Sequence, residues 1–257
     1  MNIRIMIGGI RFQFDSDFAI TVEESLSPFL CLDEHSVDVN VKVIIDSTRC
    51  VKPQIPLSGE ELLLEYYQQE DQLLCLSKAS KGKYLSAVIC DKNFETLECY
   101  LHLEFADSLK TLGNLLRLIP MCMILQHKKV FFFHASQIAV NGKGILFTAP
   151  SGAGKTTQAK LWHASRNAKI ICNDRTLIRN GNTYGYPVDG SEPVRSGEIY
   201  PLGAIVFLEQ GPMDEIRRLC PKEAVRKLFS QFVISAWNPN LKFEALEQLL
   251  SLIKHYP

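Results

Sequence analysis

Three things are scarce in this sequence: surplus charge, paired cysteines and uninterrupted apolar runs. Acidic and basic residues balance at 28 each, with no long run of either sign. That excludes the charge footprint that non-specific nucleic-acid or membrane-surface binding leaves in composition. Any phosphate recognition must then be local. The eight cysteines, Cys31, Cys50, Cys75, Cys90, Cys99, Cys122, Cys172 and Cys220, include no Cys-x-x-Cys pair and no histidine at matching spacing. A zinc site of familiar spacing is excluded, and buried, reduced thiols in a cytosolic protein are expected. The most apolar stretch, 112–133, is interrupted by Asn114, Arg117, Gln126, His127, Lys128 and Lys129. A spanning helix needs about 20 predominantly apolar residues. The N-terminal MNIRIMIGGIRFQF alternates like a strand and lacks the apolar run and cleavage site of a signal peptide. A cytoplasmic protein with neither nucleic acid nor membrane as partner is the expectation.

What is present divides into two halves. Up to about Tyr100, segments such as VDVNVKVIID, YLSAVICD and LECYLHLEF place apolar residues at a period near two, the pattern of half-buried strands. GEELLLEYYQQEDQLLCL carries helix formers between strand-like neighbours and reads as a strand pair. From Ser108 the period changes: Leu109, Leu112, Leu115, Leu116, Ile119 and Met123 fall on one helix face. Pro120 interrupts that face and predicts a kink or a break into two helices. The change of period sets an expected boundary between a β-rich region, 1–106, and a second region, 107–257.

In the second region VFFFHASQIAV and GILFTA read as strands joined by the Asn141-Gly142 turn, a hairpin signal. KTTQAKLWHAS reads as a helix, AKIICND and LGAIVFLEQ as strands, and 222–232 and 243–255 as helices. Trp237 is expected to anchor the terminal helices as a core residue. Strand, helix and strand around a glycine-rich loop predict an α/β core.

The loop APSGAGKT, Ala149 to Thr156, matches the phosphate-loop pattern G-x-x-x-x-G-K-[ST] except that alanine replaces the first glycine. Each residue type has its own task. Gly152 and Gly154 let backbone N–H groups turn toward an anion, Lys155 brings a point charge to the β and γ phosphates, and Thr156 offers magnesium a hydroxyl. Ser151, Gly152, Ala153, Gly154, Lys155, Thr156 and Thr157 are therefore the candidate nucleotide cradle. Downstream, IICNDRTLI carries an apolar strand into Asn173-Asp174-Arg175. A carboxylate there can hold magnesium or act as a general base. The guanine-selective Asn-Lys-x-Asp motif is absent from the sequence, which favours ATP.

FFHASQIAVNGKGILFTAPSGAGKTTQAKLW, with AKIICNDRTLIR, YGYPVDGSEP and PLGAIVFLEQGPMDEIRRL, resembles the catalytic domain of HPr kinase/phosphorylase over 131–219. It is closer still to bacterial kinases encoded with peptide-modification genes, which phosphorylate serine in lasso-peptide precursors. The resemblance implies a nucleotide core similar to that of phosphoenolpyruvate carboxykinase, with ATP and Mg²⁺ as cofactors. It implies that His134 points at the reacting phosphate and that Lys155 and Thr156 are the loop lysine and hydroxyl. Asp174 takes the main catalytic role and joins Thr156 as metal ligand, while Asn173 stands where the family has a first aspartate. Arg175 is a candidate to stabilise transferring charge, and Asp189, Glu192 and Arg195 are candidate acceptor contacts in a loop closing over the site. A peptide or small protein bearing a serine hydroxyl is the implied acceptor, presented with help from the β-rich region. A ribosomally made peptide is the first choice, an HPr-like carrier protein the second and free serine or another small alcohol the third, and a homo-oligomer stays open. An ATP-binding accessory factor without phosphotransfer is the alternative of a different class, and a carboxykinase-like enzyme a further one. The chain stops after an amphipathic helix where the family core implies another strand.

Overall fold

The computed structural model describes residues 1–31, 35–61, 63–188, 196–235 and 237–255. The chain divides into two compact units, Met1–Lys128 with Ser235–Asn238, and Lys129–Ile234 with Pro239–Pro257. It is a mixed α/β protein with two sheets and a β-rich N-terminal region.

The first unit carries strands β1 (Asn2–Ile7), β2 (Ile10–Ser16), β3 (Val39–Ile45) and β4 (Gly59–Glu61). It continues with β5 (Leu64–Gln69), β6 (Gln72–Lys78), β7 (Tyr84–Asp91) and β8 (Thr96–Leu101). They form one sheet in the order β1-β2-β3-β8-β7-β6-β5-β4. Period-two patterning sets its faces: Val39, Val41 and Val43 of β3 are buried while Asn40 and Lys42 are exposed. GEELLLEYYQQEDQLLCL, read as a strand pair, carries three strands: β4 pairs with β5, and β5 pairs with β6 in antiparallel register from Leu64↔Ser77 to Gln69↔Gln72.

Three short helices close this unit, α1 (Ala106–Leu109), α2 (Leu112–Leu118) and α3 (Met121–His127). The break falls where Pro120 predicts it. Ile119, the residue before the proline, is extended at φ −84° and ψ 148°, because the proline ring disfavours the helical region there. These helices count with the first unit, so the division lies at Lys128 instead of at 106/107. Hydrophobic period marks where helices start, whereas compact units are set by what those helices bury against.

All eight cysteines are free, and Cys50, Cys75, Cys90, Cys99 and Cys172 are buried. Burial pushes the Cys50 thiol up to about 11 and the Cys99 thiol up to about 12, which leaves them unreactive near neutral pH. Trp237 departs from its expected place. It belongs to the first unit and stacks on Tyr66 with ring centroids 5.2 Å apart, instead of anchoring the terminal helices.

The second unit opens with the hairpin of β9 (Phe131–Val140) and β10 (Lys143–Thr148). Asn141 and Gly142 have φ of 49° and 72°, the left-handed pair that a two-residue hairpin turn requires. Then follow α4 (Lys155–Arg166), β11 (Lys169–Cys172), β12 (Arg175–Arg179), β13 (Asn182–Gly185), β14 (Ile199–Phe207), α5 (Pro221–Phe229), β15 (Phe232–Val233) and α6 (Pro239–His255). Phe232, expected in a helix, lies in β15 opposite Phe133; three apolar residues in five, Phe229, Phe232 and Val233, fit either period.

β9 organises this unit, pairing with β10, β11, β12 and β15. Its two faces are covered differently. Phe131, Phe133 and Ala135 join Ala224 and Leu228 of α5 and Ala245, Leu249 and Leu252 of α6 in one core. Ile138 joins Phe147 and Ala159 of α4, with Trp162 packed beside them, in another. Fully burying a phenylalanine side chain contributes about 1.5–3 kcal/mol, so the FFF run fixes the strand firmly. No helix among the described residues is long and apolar enough to cross a membrane.

Candidate functional site

β10 and β14 run parallel and end together, Thr148 opposite Phe207. Among the named strands of this unit they form its parallel pair. The carboxyl ends of parallel strands are where α/β sheets place ligands. From Thr148 the chain enters the loop 149–154, and α4 leaves it at Lys155.

Gly152 and Gly154 hold φ of +81° and +101°, conformations that side-chain-bearing residues rarely adopt, and a Cβ built on either meets nothing within 4 Å. The loop is thus a left-handed turn with open space above it. Gly154 is also the N-cap of α4. The first N–H groups of a helix have no carbonyl four residues back, so the ends of Lys155, Thr156 and Thr157 are free of intrahelical partners and favour an anion. Thr156 is half-buried, while Ser151, Gly152 and Thr157 are exposed.

Lys155 is 8% exposed. Its Nζ donates to the carbonyls of Ala149 at 2.9 Å and Pro150 at 3.3 Å. Burial draws the ammonium below the ordinary lysine range, and the nearby charge of Asp174 opposes that shift.

Asp174 stands at a break in the strands beside β9, since β11 ends at Cys172 and β12 begins at Arg175. His134 of β9 lies opposite Arg175 in the β9–β12 register. Its Nε2 is 3.0 Å from Asp174 Oδ1, with the two side chains 31% and 42% exposed. Arg175 Nε is 3.9 Å from Asp174 Oδ2. A buried ammonium at a helix N-terminus, electrostatically coupled to an accessible carboxylate that contacts an imidazole, can bind an anion and accept a proton beside it.

His134, Asp174 and Arg175 are therefore brought together, with Lys155 in the same electrostatic neighbourhood. Asn173 is buried, and its carbonyl accepts from Ser136 Oγ at 2.9 Å. Asp189, Glu192 and Arg195 lie outside the described residues. Sequence reasoning missed Ser136, Thr148 and Gln231, which hold the backbone around this cluster. The one signal was two polar residues, Ser136 and Gln137, beyond His134 in a strand whose other residues are apolar.

Fold and site define a mixed α/β protein whose glycine-rich strand–loop–helix faces a carboxylate–imidazole pair. Residues 97–250 match the family model of the SynChlorMet cassette protein ScmC. That span is well over half of the chain, and the chain belongs to this family. A search of the curated proteins finds no match.

Proposed function

We propose that the second unit is an ATP-dependent kinase of HPr-kinase type that transfers the γ-phosphate to a serine hydroxyl of a peptide or small protein, in the cytoplasm. The observation that carries this reading is the 3.0 Å contact of His134 with Asp174 beside the Gly-Lys-Thr loop. An anion cradle alone serves many proteins; a proton acceptor set next to it serves transfer.

The residues present fit a nucleotide and its metal. The open space over Gly152 and Gly154 leaves room for phosphate oxygens. Lys155 can exchange the Ala149 and Pro150 carbonyls for phosphate oxygens of higher charge. Thr156 and Asp174 are the hydroxyl and carboxylate that would hold magnesium, which supplies charge neutralisation at the phosphates. Among the described residues no cluster of three or more His, Cys, Asp or Glu side chains is arranged for a metal; a magnesium ion carried on phosphates needs only one or two carboxylates.

In the proposed reaction the serine oxygen forms a bond to the γ-phosphorus as the bond to the leaving β-phosphate oxygen breaks. The hydroxyl proton passes to the Asp174 carboxylate, which His134 orients, and ADP departs with the bonding electron pair. Lys155 stays with the phosphates, and Arg175 meets charge on the transferring group.

The test is mass-spectrometric detection of phosphate transfer from Mg-ATP to a panel of serine-bearing precursor peptides, HPr protein and free serine, with Lys155→Ala as control. Phosphoserine formed by the wild type alone supports the reading and names the acceptor. Tight nucleotide binding with no transfer to any member favours a second reading, an accessory factor that binds ATP without phosphotransfer. Asn173, in the place where the family resemblance implies a first aspartate, is the observation in favour of that alternative.

A further inference from the structure

We propose that Thr148 and Ser136 are positioning residues, whose buried hydroxyls hold the His134–Asp174 pair in register with the Gly-Lys-Thr loop. Only the kinetic consequence rests on the kinase reading above.

β9 changes partners after His134. Its residues up to 134 lie against β12 and β15, and its residues from 135 on lie against β10 and β11. On one flank β10 stops at Thr148 and β15 takes over at Phe232; on the other β11 stops at Cys172 and β12 takes over at Arg175. Where strands hand over, ladder hydrogen bonds are interrupted, and buried N–H and C=O groups need other partners.

Four bonds fill the gap. The His134 N–H donates to Gln231 O at 2.8 Å, and the Ala135 N–H donates to Asp174 O at 3.1 Å. Thr148 Oγ1 donates to His134 O at 2.8 Å, and Ser136 Oγ donates to Asn173 O at 2.9 Å. Two of these four come from side-chain hydroxyls on residues with no exposed surface.

Their placement gives each bond a direction. Thr148 is the last residue of β10, so its hydroxyl ties the start of the loop to the backbone of His134. Ser136 ties the turn that carries Asp174 to the same strand, two residues further on. At 0% exposure, valine would suit the packing and strand propensity of position 148 at least as well as threonine. What threonine adds is the hydrogen bond. A shift of reacting groups by about 1 Å costs on the order of 10²-fold in rate, so bonds that fix His134 and Asp174 against the loop bear on turnover and little on nucleotide affinity.

The experiment compares wild type, Thr148→Val, Thr148→Ser and Ser136→Ala, using Mg-ATP as the nucleotide. It records kcat and KM together with amide hydrogen exchange at His134 and Ala135 in nucleotide-free protein. Thr148→Val is expected to lose about tenfold or more in kcat with KM for Mg-ATP within about threefold. Exchange at His134 should quicken by about tenfold, and Thr148→Ser should restore both. Ser136→Ala should lower kcat in the same way and quicken exchange at Ala135. Thr148→Val with wild-type kcat and wild-type exchange overturns the proposal, as does a Thr148→Ser variant as impaired as Thr148→Val. If the wild type transfers no phosphate, the kinase reading fails separately, and exchange alone decides: quickened in Val and restored in Ser supports positioning, unchanged in both refutes it.

Discussion

His134 Nε2 stands 3.0 Å from Asp174 Oδ1, at the end of the β9–β12 register, where His134 lies opposite Arg175 and where the Ala135 N–H bond to Asp174 O and the Ser136 bond to Asn173 O hold the backbone. A backbone held in this way survives substitution of the Asp174 side chain. Asp174→Asn keeps the size of the side chain and removes its charge. Turnover should fall by about 10²–10⁴-fold, while the dissociation constant for Mg-ATP changes by no more than about tenfold. Single-turnover kinetics and calorimetry read the two quantities separately; full turnover in the variant removes Asp174 from the mechanism.

Lys155 presents the opposite balance. Its ammonium is buried and satisfied by the Ala149 and Pro150 carbonyls, so it is in place before any nucleotide arrives. Lys155→Ala should lower transfer by about 100-fold or more and weaken Mg-ATP binding as well. Binding that stayed at the wild-type level would mean that the loop does not hold the phosphates.

Much of this was legible in the sequence where the signal is local. Period two marked the strands of the first unit, Asn141-Gly142 marked the β9–β10 hairpin, Pro120 marked the helix break, and Gly152 to Thr156 marked the loop. Long-range placement was not legible. Thr148 and Ser136 owe their partners to the handover of strands along β9, which pairs residues as far apart as 133 and 232. Trp237 sits among residues near the helices in sequence, yet stacks on Tyr66. Local periodicity carries no term for either contact.

The same tryptophan supplies a test in the first unit. A Cβ built on Gly59 would lie 2.1 Å from Cγ and 2.5 Å from Cβ of Trp237. Those are atoms near the side chain's root, which cannot swing aside. Gly59→Ala should therefore destabilise the protein by about 1–3 kcal/mol. Trp237→Ala removes Cγ and the ring, most of the obstacle, along with the stacking on Tyr66, and leaves only the Cβ contact, so the double variant should be less destabilised than the sum of the singles. Urea denaturation of the four proteins closes the cycle, and strict additivity would show that the two positions do not touch.

The acid limb of stability tests α5. Glu223 accepts from Arg217 Nη1 at 3.1 Å and Nη2 at 2.9 Å, and from the Cys220 N–H at 3.2 Å, the reciprocal half of a capping box. The Arg217 bonds, followed by those to Cys220, hold its carboxyl down from 4.5 to about 2. A carboxylate with a lowered folded pKa stabilises the fold above its unfolded value and loses that contribution as pH falls through the folded one. Glu223→Gln should thus be less stable than wild type at pH 7. The gap should close between about 4.5 and about 2. Because the pair is solvent-exposed, added salt should also narrow it at neutral pH. Urea denaturation across that range decides the matter: a gap that persists at the acid end belongs to the cap's hydrogen bond and owes nothing to the charge.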